Sequence, residues 1–227
     1  MQVLYRLSII SWTLTCSFAS AEPDLCSQIR TSNQPFAVVS HMNFNGRDVV
    51  TESHIYRKGD ELIIARISGN DIAVKSLYVK GRLAAQHIFR PSSSKKVDRT
   101  TYSYIPDGNG FGSDSGTYTM TTSDVDGVTI GEMHISKKRI GGRDVILSGC
   151  LLHVDEIETT STGWLKTSGQ TSNTSIRTTL SSIPALGVIV VGKTESTSNG
   201  LQQSNTQAAV ELKLDFEKKG PNDTPDF

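Results

Sequence analysis

Cysteine is scarce in this chain, and neither sign of charge is in excess. The 227 residues contain three cysteines, and 23 basic residues balance 23 acidic ones, so the formal net charge at pH 7 is zero. A protein that binds nucleic acid through its phosphates carries a strong basic excess. The balanced charge excludes such a footprint, and we expect no nucleic-acid partner.

The chain also lacks an apolar run long enough to cross a membrane. Its longest candidate, residues 7–18, has about 12 positions, whereas a spanning helix needs about 20. This run follows Arg6 and precedes Ala19-Ser20-Ala21, a small-x-small pattern that signal peptidase accepts. We therefore interpret residues 1–21 as a cleaved signal peptide with no transmembrane segment, and we expect a periplasmic protein or, alternatively, a secreted one.

Removal of the signal leaves two cysteines, Cys26 and Cys150, in the mature chain. An even pair in an exported protein favours a disulfide, with two buried thiols as the alternative. Lipidation at Cys16 is a further alternative, although Leu14 does not stand three residues before it as a lipidation site requires. A bridge between Cys26 and Cys150 would close a loop of 125 residues. The chain-entropy model predicts that such a loop adds roughly 5 kcal/mol to the free energy of unfolding. We expect the bridge to tie an N-terminal helix to a central strand.

From Phe36 onwards the chain consists of short β-type segments separated by turns. Asn45-Gly46 and Asp126-Gly127 are hairpin signals, and residues 210–216 alternate apolar with charged side chains, as a strand with one face on the core does. Such a meander must curl or close to protect its edges. We predict a mainly β fold, an antiparallel curved sheet or half-open β-barrel of about nine to eleven strands.

The remaining segments refine this organisation. Residues 23–34 predict a short N-terminal helix, and residues 82–89 fit either a helix or a strand. The Ser- and Thr-rich residues 159–182 predict a long hairpin or a mobile strand pair. We expect a single β domain over residues 22–216 and a disordered tail over residues 217–227.

The candidate motifs for catalysis and metal binding lack the required residues at the required spacing. The loop 112–116 resembles a serine-protease fragment, but its spacing does not match the nucleophile elbow and no supporting His pattern accompanies it. A calcium loop that starts at Asp107 would need Glu where Tyr118 stands. The five histidines are isolated in predicted strands. We therefore expect no enzyme, no metal site and no cofactor.

Segments in both halves of the chain carry a family resemblance. In the C-terminal half these are residues 183–191, a turn at Ser198-Asn199-Gly200 and the strand 209–216; in the N-terminal half they are a short helix with a Cys and the hairpin around Lys58-Gly59-Asp60. Together they resemble small bacterial periplasmic proteins with a lipoprotein-carrier-like (LolA/LolB-like) half-barrel. The resemblance implies a curved sheet with a helical lid and an apolar concave face that holds acyl chains or other lipid-like ligands.

These observations predict a binding protein. We expect a non-enzymatic exported protein that holds a hydrophobic, lipid-like ligand or an envelope component against a concave sheet. Apolar residues at alternate strand positions are the candidate lining, namely Ile63, Ala65, Ile67, Leu212 and Leu214. One alternative is a structural or interaction protein of the envelope that presents the polar segments 106–116 and 159–182 to a protein partner. The other is a hydrolase whose site assembles only in three dimensions.

Overall fold

Antiparallel strands and one short helix make up the computed structural model of the chain. It describes residues 25–31, 34–68, 71–80, 82–89, 97–106, 115–167, 169–183, 186–218 and 223–227. The elements in these ranges are α1 Leu25–Thr31, β1 Phe36–Phe44, β2 Arg47–Lys58, β3 Glu61–Ser68, β4 Asp71–Val79, β5 Arg82–Phe89, β6 Val97–Pro106, β7 Ser115–Ser123, β8 Thr129–Leu147, β9 Cys150–Thr167, β10 Gln170–Ile183, β11 Val188–Ser198 and β12 Leu201–Lys213. The predicted signal peptide lies outside the described residues.

The sheet closes on itself. Each strand pairs with its neighbours in sequence, and β1 pairs with both β2 and β12. The predicted antiparallel β fold is confirmed, but the predicted half-open barrel is wrong, because β12 satisfies the edge of β1 that a half-open sheet would leave unpaired. The twelve strands of the described ranges exceed the predicted number, and the ambiguous residues 82–89 form β5.

One end of the barrel, which we call the mouth, is bordered by tight hairpins. Asn45 and Gly46 join β1 to β2 with φ values of 49° and 85°, and Asn199 and Gly200 join β11 to β12 with 49° and 82°. Two consecutive positive φ angles are the requirement of a type I′ turn, which Asn-Gly meets at low cost. The predicted hairpin at Asn45-Gly46 is therefore confirmed.

The opposite end is closed by an apolar core. Helix α1 contributes Ile29 to a cluster that also contains Phe36 of β1, Leu152 of β9 and Leu212 of β12. These side chains from distant strands meet at the end of the barrel opposite the mouth, so the cluster closes the base of the barrel. Arg57 strengthens the contact, since its guanidinium donates to the carbonyl oxygen of Ile29 at 2.9 Å and lies 5.6 Å from the Phe36 ring centroid.

The tip of the β8–β9 hairpin folds across this closed end. The backbone N–H of Leu212 donates to Ser148 Oγ at 2.7 Å, which joins the tip to β12 on the far side of the base. Register shifts near this end, between Val39 and Ser40 and between Ser181 and Ser182, mark β-bulges that let strands bend inwards.

The predicted disulfide between Cys26 and Cys150 is confirmed. It joins α1 to the first residue of β9, and its two residues are 124 positions apart in the chain. Cys150 is fully buried in the apolar core. The bridge thus fastens the helix and the hairpin tip together over the base of the barrel.

Replacing both cysteines by serine should lower the free energy of unfolding by about 2–5 kcal/mol, because the unfolded chain regains the entropy that the long loop denies it. Urea unfolding followed by circular dichroism measures this. The outward, exposed Thr160 on the same strand supplies a control as Thr160→Ala, which should change stability by less than about 0.5 kcal/mol. Equal urea midpoints for the oxidised and reduced wild-type protein would contradict the expected contribution.

Candidate functional site in the barrel lumen

One wall of the lumen carries hydroxyl and amide groups. Thr159, Thr178, Thr194 and Asn205 face one another across β9, β10, β11 and β12 in one register row. Alternation along each strand puts this row on the inner face, and Thr178 Oγ1 lies 3.3 Å from Thr194 Oγ1. All four side chains keep intermediate exposure although they point inwards. Solvent therefore reaches the inner face at this row, and we call the space inside the barrel the lumen.

Two polar atoms of the inner face are buried without a hydrogen-bond partner among the described residues. They are Asn205 Oδ1 in the hydroxyl row and Thr122 Oγ1 on β7. A buried polar atom without a partner costs roughly 1–3 kcal/mol, so water or a ligand is expected to supply the missing hydrogen bond. The lumen thus offers unused hydrogen-bonding capacity.

The facing wall carries a cluster of tyrosines. Tyr78 of β4, Tyr102 and Tyr104 of β6 and Tyr118 of β7 all occupy inward positions. The ring centroids of Tyr104 and Tyr118 are 5.5 Å apart, with a tilt of 58° between the planes. The hydroxyl of Tyr102 donates to Gln86 Oε1 at 3.3 Å. These half-buried rings form an aromatic surface opposite the hydroxyl row.

The electrostatics of this wall keep the phenols neutral. Burial raises the pKa of each of the four tyrosines, and it is the largest cause in every case. The charge of Arg66 opposes the rise at Tyr78, and that of Arg82 opposes it at Tyr104 and Tyr118. The hydroxyls therefore remain protonated donors at physiological pH, within the field of two cations.

The five residues predicted to line a ligand site do not share a surface. Ile63, Ala65 and Ile67 point outwards from β3, where they are buried. Leu212 and Leu214 belong to the apolar core at the base of the barrel. The two groups lie on opposite faces of the sheet, because β3 is apolar on both of its faces and the pattern does not reveal which face turns inwards.

The C-terminal residues cover the outer face around Ala65. Asp223 is fully buried there, where its carboxylate bonds with His54 Nδ1 at 2.5 Å and accepts from the hydroxyl of Tyr56 at 2.5 Å. Burial raises the pKa of Tyr56, and the hydrogen bond to Asp223 raises it further. Residues 223–227, part of the segment 217–227 for which disorder was predicted, are thus packed on the barrel.

A shallow depression of about 420 Å³ opens on the outside of the closed end. Its described lining consists of Arg30, Asp144, Leu151, Leu152, His153, Ile183 and Leu186. His153 Nδ1 lies 2.8 Å from Asp144 Oδ1, and both side chains are exposed. This lining contains no serine, threonine or cysteine, so the described part of the depression pairs a base with an acid but supplies no nucleophile.

Other predicted sites fall partly or wholly outside the described ranges. Residues 107–114, which hold most of the serine-protease-like loop and the start of the calcium-like loop, are not among them. Residues 159–167 and 170–182 belong to the antiparallel pair β9 and β10, as the long-hairpin prediction for this segment stated. Within the described ranges, no group of three or more His, Cys, Asp or Glu side chains is arranged to hold a metal ion.

Sequence reasoning missed both the tyrosine cluster and the outer contact of the tail. Tyr102 and Tyr104 are two positions apart in the sequence, so strand alternation places them on one face, but no pattern indicates that Tyr78 and Tyr118 join them. The His54–Asp223 contact spans 169 positions, and neither residue belongs to a recognisable motif. Only knowledge of which strands pair, and in which register, would have predicted these contacts.

No family model matches the chain, and no curated protein matches it in sequence. The hypothetical lipoprotein YmcC from Escherichia coli (K12) aligns with 81% of this chain and 87% of its own, at 11% identity and a TM-score of 0.41. A protein from Bacteroides fragilis, described as exported with a YmcC-like fold, aligns over 78% and 95% of the two chains, at 10% identity and a TM-score of 0.36.

A third structure comes from Parabacteroides distasonis and is described as that of a lipoprotein. It aligns over 79% of this chain and 95% of its own, at 8% identity and a TM-score of 0.35. None of the three is described as a lipoprotein carrier, so the predicted resemblance to that group is not confirmed. Among the described residues, no helix has the length and apolar character needed to cross a membrane.

The raised tyrosine pKa values predict a loss of stability at alkaline pH. Unfolded tyrosines release their protons at about pH 10, whereas the four lumen tyrosines hold theirs to higher pH. The folded state then binds more protons than the unfolded state, so the free energy of unfolding falls as pH rises above about 10.

Absorbance titration of phenolate near 295 nm, in buffer and in denaturant, measures this difference. Five of the described tyrosines have a raised pKa, namely these four and Tyr56. Most of the phenolate absorbance of the native protein should therefore develop at a higher pH than that of the denatured protein. Replacing Tyr104 by Phe should remove one late-titrating group and leave the others. Coincident native and denatured curves would contradict the burial of these phenols.

Proposed function

We propose that this chain is a non-enzymatic binding protein of the cell envelope, exported to the periplasm, that takes a polyhydroxylated ligand such as a glycan segment into the barrel lumen. The observation that carries the proposal is an inner face with two unlike walls. One wall holds the hydroxyl row of Thr159, Thr178, Thr194 and Asn205, and the other holds neutral tyrosines.

The chemistry of the hydroxyl row favours a ligand with its own donors and acceptors. A hydrocarbon chain against Thr178 and Thr194 would displace the water bound to their hydroxyls without replacing its hydrogen bonds, which costs roughly 1–3 kcal/mol per group. A sugar ring replaces that water with its own hydroxyls. The partnerless Asn205 Oδ1 is an acceptor for such a donor, either directly or through a water molecule.

The tyrosine wall suits the other aspect of a sugar. A pyranose ring has an apolar face of C–H groups, and an aromatic ring packs against such a face while its hydroxyl stays available for hydrogen bonding. Tyr102 and Tyr104 present both properties at half-buried positions. Arg66 and Arg82, whose charges reach the cluster, favour a ligand with an acidic substituent over a neutral one.

The geometry of the barrel supports entry from the mouth. The base is filled by α1 and the apolar core around Phe36 and Leu152, under the Cys26–Cys150 bridge. The apolar surface that an acyl chain would need is thus already occupied by side chains of the protein. A lipid-like ligand, the expectation from sequence, remains the principal rival.

Binding should be measured by isothermal titration with four probes: an oligogalacturonate, maltohexaose, palmitate and a short-chain phosphatidylglycerol. We expect the acidic oligosaccharide to bind more tightly than the neutral one, and palmitate to bind least. Replacing Tyr104 by Ala should weaken saccharide binding by about tenfold, which corresponds to about 1.4 kcal/mol.

A matched pair on β10 separates the lumen from the outer surface. Thr178 points into the lumen and Thr179 points outwards to solvent. Thr178→Val should weaken saccharide binding, whereas Thr179→Val should leave it unchanged. Tight binding of palmitate without saccharide binding would overturn the ligand class, and no binding of any probe would overturn the lumen as a binding site.

A further inference from the structure

A row of basic side chains crosses the outer face of four strands. His54 of β2 pairs in register with Ala65 of β3, Ala65 with Lys75 of β4, and Lys75 with His87 of β5. All four side chains point away from the lumen, because their strand neighbours point into it. We call these four residues the basic row.

The C-terminal pentapeptide, residues 223–227, lies along the basic row. At one end Asp223 bonds with His54, while Glu52 Oε1 lies 2.6 Å from the other ring nitrogen of that histidine. Both ring nitrogens of His54 therefore face carboxylate oxygens, and Tyr56 adds a hydroxyl donor to Asp223.

The middle and far end of the row hold the rest of the pentapeptide. Lys75 Nζ donates to Thr224 Oγ1 at 3.1 Å and also to the carbonyl oxygen of Asp226. The ring of Phe227, the last residue, stacks on His87 with centroids 4.2 Å apart and 28° between the planes. Each position of the row thus recognises a different part of the peptide.

The small residue in the row explains how the pentapeptide comes so close to the sheet. Ala65 is fully buried between His54 and Lys75. A larger side chain there would hold the peptide away from both bases. Lys75 is itself almost fully buried, and the charges of Asp226 and Asp223 oppose the lowering of its pKa that burial causes. The groove and the peptide therefore match in both shape and charge.

We propose that the basic row is a binding site for acidic peptide segments, filled in this structure by the chain's own residues 223–227, and that the same segment of a second copy can fill it in trans. The contacts described above come from within the pentapeptide, so its recognition does not need the covalent link to the barrel. The link only raises the local concentration of the tail. Exchange of an identical element between copies is a low-cost route to a dimer.

The test cuts the chain between the barrel and the pentapeptide after the protein has folded. A protease recognition sequence is inserted between residues 218 and 223 of the full chain, and the purified protein is cleaved. A fluorescent peptide of residues 223–227, labelled at its N-terminus, is then titrated in and followed by anisotropy. We expect saturable binding by the cleaved protein and at least tenfold weaker binding by the uncleaved protein, whose own tail competes.

Variants of the peptide keep the test independent of protein folding. Asp223→Asn in the peptide should weaken binding at least tenfold, because the charge that faces His54 is lost, and Phe227→Ala should weaken it through loss of the stacking on His87. In the protein, Lys75→Met should weaken binding at least tenfold. His134→Ala, at an exposed outward position on β8, is the matched control and should have no effect.

Each result decides the proposal. Saturable binding that depends on Asp223 and Lys75 supports the site. Binding that is equal for the wild-type and Asp223→Asn peptides, or that is unchanged by Lys75→Met, would overturn it, and so would the absence of binding to a cleaved protein that keeps its native circular dichroism. In uncleaved protein at high concentration, tail exchange should appear as a dimer that excess peptide dissociates.

Discussion

The backbone pairing of β1 with β12 is the interaction on which the rest of the structure depends. It joins the first strand of the chain to the last and thereby removes both free edges of a twelve-stranded sheet. Closure also creates an inside and an outside. The hydroxyl row, the tyrosine wall and the basic row have their roles only because each strand keeps one face on a lumen and the other on the outer surface.

Local features of this fold could be read from the sequence, and global ones could not. The Asn45-Gly46 turn, the strand character of residues 210–213 and the Cys26–Cys150 bridge depend on nearest neighbours or on the counting of cysteines, whereas the predicted strand extended to residue 216 and β12 ends at Lys213. Closure depends on a pairing between chain ends, which leaves no local trace. The facing of β3 was also out of reach, because both of its faces carry apolar residues and alternation then gives no preferred side.

The candidate site was harder to predict than the fold for a related reason. An apolar alternation such as that of Ile63, Ala65 and Ile67 indicates burial but not what buries it, and here the cover is the end of the same chain. Conversely, Thr178 and Thr194 look like solvent-facing positions of exposed strands, whereas they line a lumen. The distinction between water outside and water inside a barrel is not encoded in the polarity of single residues.

The position of helix α1 sets the polarity of the whole molecule. Because Leu25 and Ile29 of α1 pack with the apolar core at the base of the barrel, the first described residues lie at the closed end, and the mouth lies at the far side. If the base were held against a surface, the barrel axis would point away from that surface. The mouth would then face away from that surface, towards the surrounding solvent.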